Sequence, residues 1–231
     1  LELLRIELEF ENEKLASWPW EYLYRPADRT PGSGKFLAET TQLVLNRRLS
    51  LSKLPLPLNT PRPVKILVVV SKPKNLTVEC ARILETIRTL TTTKVVERFE
   101  LIEEDYDLSA SQREPIATFA NFQKIVEKEQ PHIIHFIGHG RRTIKGGQIA
   151  FVKEGWEPDW IRDEAFATWA AKSRNLKLVF LQACESALPN QYRSISGMAR
   201  QLAQQNIPAV VAMQYKVESQ VANTFACAFY E

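Results

Sequence analysis

Strand-like apolar runs alternate with helical patterns from residue 64 to the end of the chain, and this alternation constrains the fold most. Runs rich in β-branched residues predict strands that are buried on both faces. Apolar spacings near 3.6 residues predict helices that cover those strands. Repeated units of this kind give a mostly parallel sheet, and right-handed crossovers place helices on both faces. The sequence therefore predicts an α/β fold, a three-layer α/β/α sandwich.

The individual elements of this core, residues 64–231, follow from the same patterns. The predicted strands are 64–70, 94–101, 132–139, 176–183 and 207–215, and 146–152 belongs to a hairpin after a glycine turn. The predicted helices are 76–90, 114–130, 159–173, 195–206 and 218–230. Residues 1–60 form a different section. Strand-like alternation occurs in 4–10 and 35–49, with a turn between them. A proline-rich connector, 54–63, joins this section to the core.

Composition excludes several classes of protein. The 30 basic and 27 acidic residues nearly balance and form no basic block, which argues against direct binding of nucleic acid. Apolar runs are too short to cross a membrane, and no signal peptide is visible. Three cysteines without a CxxC pair argue against a disulfide scaffold or a zinc site and favour a reducing cytoplasm. The chain begins without methionine, and we expect both ends to be cut from a longer protein.

All three histidines lie within the short stretch HIIHFIGHG. Side chains alternate across a strand, so His132 and His135 point to opposite faces and are poorly placed to share a metal ion. We expect His132 at the rim of the sheet and His135 as a hydrogen-bonded core residue, with no metal bound. His139 differs, because it follows a buried parallel strand at the carboxyl end, where open α/β sheets hold ligands.

Cys184 directly follows the next buried strand of the core. If the two strands are neighbours, the Cys184 thiol and the His139 imidazole face each other across one crevice. A histidine can take the proton of a thiol, whose reference pKa is about 8.5, and so produce the nucleophilic thiolate. The backbone N–H groups of Gly140 and Cys184 are candidates for an oxyanion hole. The alternative is inert packing, which we expect for Cys80 and Cys227.

Two short motifs resemble the caspase-like cysteine peptidases. The triplet Gly-His-Gly is followed by Gln182-Ala183-Cys184, where the caspase signature has Q-A-C-[RQG]-G with a histidine about 50 residues upstream. Glu185 and Ser186 depart from that signature. Together with HFIGHG, the stretches LVFLQACES, ISGMARQLAQQNIPAVVAMQYKV and WPWEYLY resemble the CHAT family, bacterial relatives of caspases and separases. The resemblance implies one caspase-like domain over residues 1–231, with residues 1–60 as its opening strand and hairpin section.

The resemblance also implies a function. Members of this family are cysteine endopeptidases that cleave protein partners, several of them in bacterial defence or cell death, and they use no cofactor. His139 is then the base, Cys184 the nucleophile, and Gly140 with Cys184 the oxyanion hole. The residues that could line the pocket for the side chain before the scissile bond, the P1 residue, are Gln182, Met213, Gln214 and Tyr215. A fused or associated sensor or repeat module would be missing from this chain.

Two other functions fit the same fold. The domain could be a catalytically silent interaction module, because a fold does not fix a function. Cys184 could also serve a redox or acyl-transfer enzyme, although the lack of a CxxC partner disfavours the redox version. The intact pair of His139 and Cys184 favours the peptidase.

Overall fold

A computed structural model of the chain describes residues 3–10, 12, 15, 18–27, 34–40, 42–48, 60–92, 95–106, 113–185, 196–213 and 217–231. The chain divides into two compact units, Leu1–Ser52 and Lys53–Glu231. The single domain expected over residues 1–231 therefore stays a prediction.

The first unit contains two small sheets. Strands β1 (Leu4–Glu9) and β4 (Leu43–Arg48) pair in parallel, and β2 (Tyr24–Arg25) pairs with β3 (Lys35–Phe36) as an antiparallel hairpin. The strand predicted near 4–10 is thus confirmed. The single strand predicted over 35–49 is wrong, because Leu37–Glu39 form a 3-10 turn that separates β3 from β4.

The second unit is built on a sheet whose parallel strands lie in the order β11–β10–β7–β5–β6. These strands are β5 (Val64–Val70), β6 (Val96–Ile102), β7 (Ile133–Thr143), β10 (Leu178–Glu185) and β11 (Ala209–Ala212). Beyond the parallel region, β7 pairs antiparallel with β8 (Gly146–Val152), which in turn pairs with β9 (Pro158–Arg162). The mostly parallel sheet and the hairpin are confirmed, although Ile144 and Lys145 form the turn and the two glycines begin β8.

Helices cover both faces of this sheet. They are α1 (Ala81–Thr91), α2 (Phe119–Glu129), α3 (Asp163–Ala170), α4 (Ser196–Gln204) and α5 (Ser219–Tyr230). Leu67 and Val69 of β5 pack in one core cluster with residues of α2, α3 and α4, whereas Ile66 and Val68 pack in another with residues of α1 and α5. Alternate residues of one strand thus face different helices, which confirms the three-layer α/β/α sandwich. No helix in the described ranges is long and apolar enough to span a bilayer.

Two helices begin later than the apolar spacing predicts. The helix predicted at 76–90 begins at Ala81, because the carbonyl oxygens of Thr77 and Glu79 accept hydrogen bonds from side chains on other elements. The helix predicted at 114–130 begins at Phe119. The Thr118 side chain caps this start by accepting from the backbone N–H of Asn121, and before it the buried Glu103 carboxylate accepts from the backbone N–H groups of residues 116 and 117.

The helix predicted at 159–173 and the strand predicted at 132–139 also have different bounds. Residues Pro158–Arg162 form β9 because β8 offers an open edge for pairing, and helix α3 begins only at Asp163. The strand predicted at 132–139, with His139 at its carboxyl end, continues as β7 to Thr143, because β8 and β10 supply pairing partners beyond Gly138. His139 therefore lies within a strand and not after one.

Candidate active site

The two strands that carry the predicted catalytic residues are neighbours, which meets the condition for a shared crevice. The register of β7 and β10 pairs His139 with Cys184 and Gly140 with Glu185. Pairing of β7 with β5 stops earlier, at Ile137, so the His139–Cys184 pair lies at the carboxyl edge of the parallel sheet. Neighbouring strands are about 4.8 Å apart. The side chain of Cys184 lies outside the described part of the structure, so its contact with the imidazole stays a prediction.

A backbone carbonyl fixes the ring of His139. Nε2 of His139 lies 2.9 Å from the carbonyl oxygen of Thr77, in the segment between β5 and α1. A carbonyl oxygen only accepts, so Nε2 is the nitrogen that carries the hydrogen. In the neutral ring Nδ1 is then the proton acceptor. The side chain is partly exposed, which leaves it accessible at the sheet edge.

The other two histidines are buried and engaged elsewhere. Nδ1 of His135 lies 3.0 Å from the Tyr230 hydroxyl, and burial lowers the pKa of His135 to about 3. The prediction of a hydrogen-bonded core histidine is confirmed. His132 accepts from the backbone N–H of Lys65 at 2.9 Å through Nδ1. It lies directly before β7 at the end of the sheet, as predicted, and it is buried at 4 % exposure.

Two of the residues predicted to line the P1 pocket, Gln182 and Met213, contact other residues of the protein. Gln182 is 6 % exposed, and its Nε2 donates to Oδ1 of Asn223 at 2.7 Å. Met213 packs in the core cluster that contains Phe180. Gln214 and Tyr215 lie outside the described residues. The amide nitrogen of Gln182 and the side chain of Met213 thus have partners within the protein.

The two glycines beside His139 differ in their steric surroundings. A Cβ at Gly138 would lie 2.9 Å from Cε1 of Phe136, which is closer than real Cβ atoms approach. A Cβ at Gly140 would meet its nearest atoms at 3.6 Å, an ordinary van der Waals distance. Close packing therefore requires glycine at 138 but does not require it at 140.

Charged side chains near this edge are engaged in pairs. Nε of Arg141 donates to Gln148 at 2.7 Å, and its guanidinium lies 4.0 Å from the ring centroid of Trp160. Nζ of Lys72 lies 3.0 Å from a carboxylate oxygen of Asp105. Within the described ranges, no group of three or more histidine, cysteine or acidic side chains is close enough to hold a metal ion.

Two residues that contact this site carry no local sequence motif. Thr77 acts through its backbone carbonyl, which no side-chain pattern marks. Asn223 is 7 % exposed, and it lies on the buried face of α5 beside Ala222 and Ala226. The sequence signal for Asn223 was its place as a polar residue within an apolar helical stripe. A buried polar side chain is almost always hydrogen-bonded, so such a residue is expected to have a specific partner.

The α/β/α sandwich, with His139 and Cys184 in register at its carboxyl edge, is compatible with the class of caspase-like proteins. The comparison with protein families narrows this class, since the CHAT domain matches residues 4–231. The chain belongs to the CHAT family, a family of caspase-like cysteine peptidases. No curated protein sequence is similar enough to the chain to count as a relative.

Proposed function

We propose that the protein is a cysteine endopeptidase in which Cys184 is the nucleophile and His139 the general base. The observation that supports this most is the register of β7 and β10, which pairs the two residues at the carboxyl edge of the sheet. The hydrogen bond from Nε2 of His139 to the Thr77 carbonyl oxygen adds to it. That bond leaves Nδ1 to exchange a proton with the thiol.

The proposed reaction begins with transfer of the Cys184 proton to Nδ1 of His139. The thiolate attacks the peptide carbonyl carbon, a C–S bond forms, and one electron pair of the C=O bond moves to oxygen. When this oxyanion collapses, the C–N bond breaks and the imidazolium gives its proton to the leaving amine. Water then attacks the thioester while His139 takes its proton, and cleavage of the C–S bond restores the thiol.

The oxyanion needs donors that are in place before the reaction. We assign this role to the backbone N–H groups of Gly140 and Cys184, which lie on neighbouring strands, one position apart in the register. Because the donors are main-chain groups, substitution of a side chain does not remove them. We assign the P1 pocket to Gln182 and the segment Met213–Gln214–Tyr215. Gln182 would form one wall of this pocket, and its amide nitrogen already donates to Asn223.

The biological setting that we propose follows from the family. The substrate is a protein partner in a bacterial defence or cell-death pathway in the cytoplasm. A fused or associated sensor or repeat module would control access to the site. No cofactor or metal has a part in the proposed chemistry.

The experiment that tests the proposed function is hydrolysis of a fluorogenic peptide library by the purified chain and by two variants. We expect cleavage by the wild-type protein, and Cys184→Ala and His139→Ala should each lower kcat by about a thousandfold or more. Circular dichroism and thermal unfolding establish that the variants are folded. Cleavage retained by folded Cys184→Ala would reject the assignment. No cleavage by the wild-type protein would favour the catalytically silent interaction module.

A further inference from the structure

Two backbone carbonyls in the segment 76–80 accept hydrogen bonds from distant side chains. The Thr77 oxygen accepts from Nε2 of His139 at 2.9 Å. The Glu79 oxygen, two residues further on, accepts from Nδ2 of Asn223 at 3.1 Å. The segment between β5 and α1 is therefore held by hydrogen bonds from two elements, from His139 of β7 and from Asn223 of α5.

The Asn223 amide is itself held at both ends. Its Oδ1 accepts from Nε2 of Gln182 at 2.7 Å, while its Nδ2 donates to Glu79. Both amide side chains are buried, at 6 % exposure for Gln182 and 7 % for Asn223. A buried hydrogen bond fixes the relative position of its donor and acceptor, because breaking it leaves a buried polar group unpaired, which costs free energy. The position of Glu79 is thus tied to β10.

These bonds form a path between the two proposed catalytic residues. The path starts at Gln182, two positions before Cys184 on β10, and passes through Asn223 to the segment 77–79. It ends at His139, which is the register partner of Cys184. The strand that carries the nucleophile is thereby linked to the carbonyl that orients the base.

We propose that Asn223 is a positioning residue of the active site. It holds Glu79, and through it Thr77, so that the Thr77 carbonyl keeps the hydrogen of the His139 ring on Nε2 and leaves Nδ1 free for the thiol. This role rests on the proposed function, in which His139 is the general base. The hydrogen bonds of Asn223 within the described residues go to Gln182 and Glu79 and not to the His139 ring, so Asn223 acts through the position of the carbonyl.

A positioning role and a purely structural role have different consequences. If Asn223 only stabilised the fold, its loss would lower the free energy of unfolding and leave the His139 tautomer unchanged. If it positions Thr77, its loss changes the tautomer of one histidine and leaves His132 and His135 as they are. A small misplacement of a reacting group lowers the rate by about a hundredfold, and this loss falls on kcat because the substrate is still bound.

The test uses Asn223→Ala, the shape-keeping Asn223→Leu, and Tyr230→Phe as a matched control. Tyr230→Phe also removes a buried hydrogen bond of α5, the one to His135, but that bond does not reach the segment 76–80. The His139 tautomer is read by long-range ¹H–¹⁵N correlation on protein with ¹⁵N-labelled histidine, in a Cys184→Ala background. The kcat and KM values for peptide hydrolysis are measured in proteins that retain Cys184.

We expect the hydrogen of His139 on Nε2 in the reference protein and a mixture of tautomers in both Asn223 variants. The kcat value should fall by about ten- to a hundredfold, while KM stays within about threefold. Tyr230→Phe should change neither readout. An unchanged tautomer in a folded Asn223 variant would overturn the proposal, and so would equal disturbance of all three histidines. The tautomer measurement does not depend on cleavage, so failure of the proposed function is seen separately as absence of hydrolysis by the wild-type protein.

Discussion

Cys184 is the register partner of His139 on the neighbouring parallel strand, one position before the last pair that joins β7 to β10. On the other side of β7, pairing with β5 ends at Ile137, where the backbone N–H of Ser71 donates to the Ile137 carbonyl at 2.9 Å. The chain then leaves β5 and crosses toward His139 as the segment that carries Thr77. The end of β5 thus places an orienting carbonyl on one side of the histidine, with the cysteine strand on the other.

Gly138→Ala should destabilise the protein more than Gly140→Ala. The new Cβ at 138 would lie 2.9 Å from Cε1 of Phe136, and that ring packs against Phe151 and Phe166, so it has little room to move. Overpacking of this kind costs about 1–3 kcal/mol. The matched change at 140 meets atoms at 3.6 Å and should cost under about 1 kcal/mol. Urea unfolding measures both values, and equal losses would contradict the packing account.

Acid should weaken the fold through His135. Burial lowers the pKa of this histidine from 6.5 to about 3, so between these two pH values the unfolded chain binds a proton that the folded chain does not. The free energy of unfolding therefore falls as the pH falls through this window, by about 1.4 kcal/mol per pH unit for one such group.

His135→Gln isolates this contribution, because glutamine keeps a polar group near the Tyr230 hydroxyl but does not titrate. Urea unfolding of both proteins between pH 4 and 7 gives the difference in slope. We expect the stability of the variant to depend less steeply on pH than that of the wild-type protein. Parallel profiles would show that His135 is not the group responsible.

The peptidase should prefer a neutral, apolar P1 residue. Two basic side chains near this edge that could pair with an acidic P1 side chain are engaged elsewhere, Arg141 with Gln148 and Trp160, and Lys72 with Asp105. A charged P1 side chain buried without a partner costs several kcal/mol. A positional-scanning peptide library, with Cys184→Ala as the blank, measures the preference. Strong selection for Asp, or for Arg and Lys, would contradict this prediction.

The sequence predicted the sheet because its strands depend on local patterns. Buried apolar runs marked β5, β7 and β10, and parallel strands bring their carboxyl ends to one edge. The sequence left open whether the strands of His139 and Cys184 are neighbours, and the register of β7 and β10 shows that they are.

The helix starts and the supporting bonds could not be predicted in the same way. Apolar spacing continues through residues 76–80, but two carbonyls there bond to His139 and Asn223, which are 62 and 144 residues away in the chain. Residues 158–162 resemble the first turn of a helix, but the open edge of β8 pairs with them. The conformation of these segments depends on partners that are distant in the sequence, and local periodicity carries no information about such partners.

The central claim is that His139 activates Cys184, and the most direct test is the rate at which iodoacetamide alkylates Cys184. Cys80 and Cys227 are buried, so mass spectrometry of tryptic peptides can follow Cys184 alone, with Cys184→Ala as the blank. At pH 7 a free thiol is only a few per cent thiolate. We expect alkylation in the wild-type protein to be at least about tenfold faster than in folded His139→Ala. Equal rates in the two proteins would contradict the account.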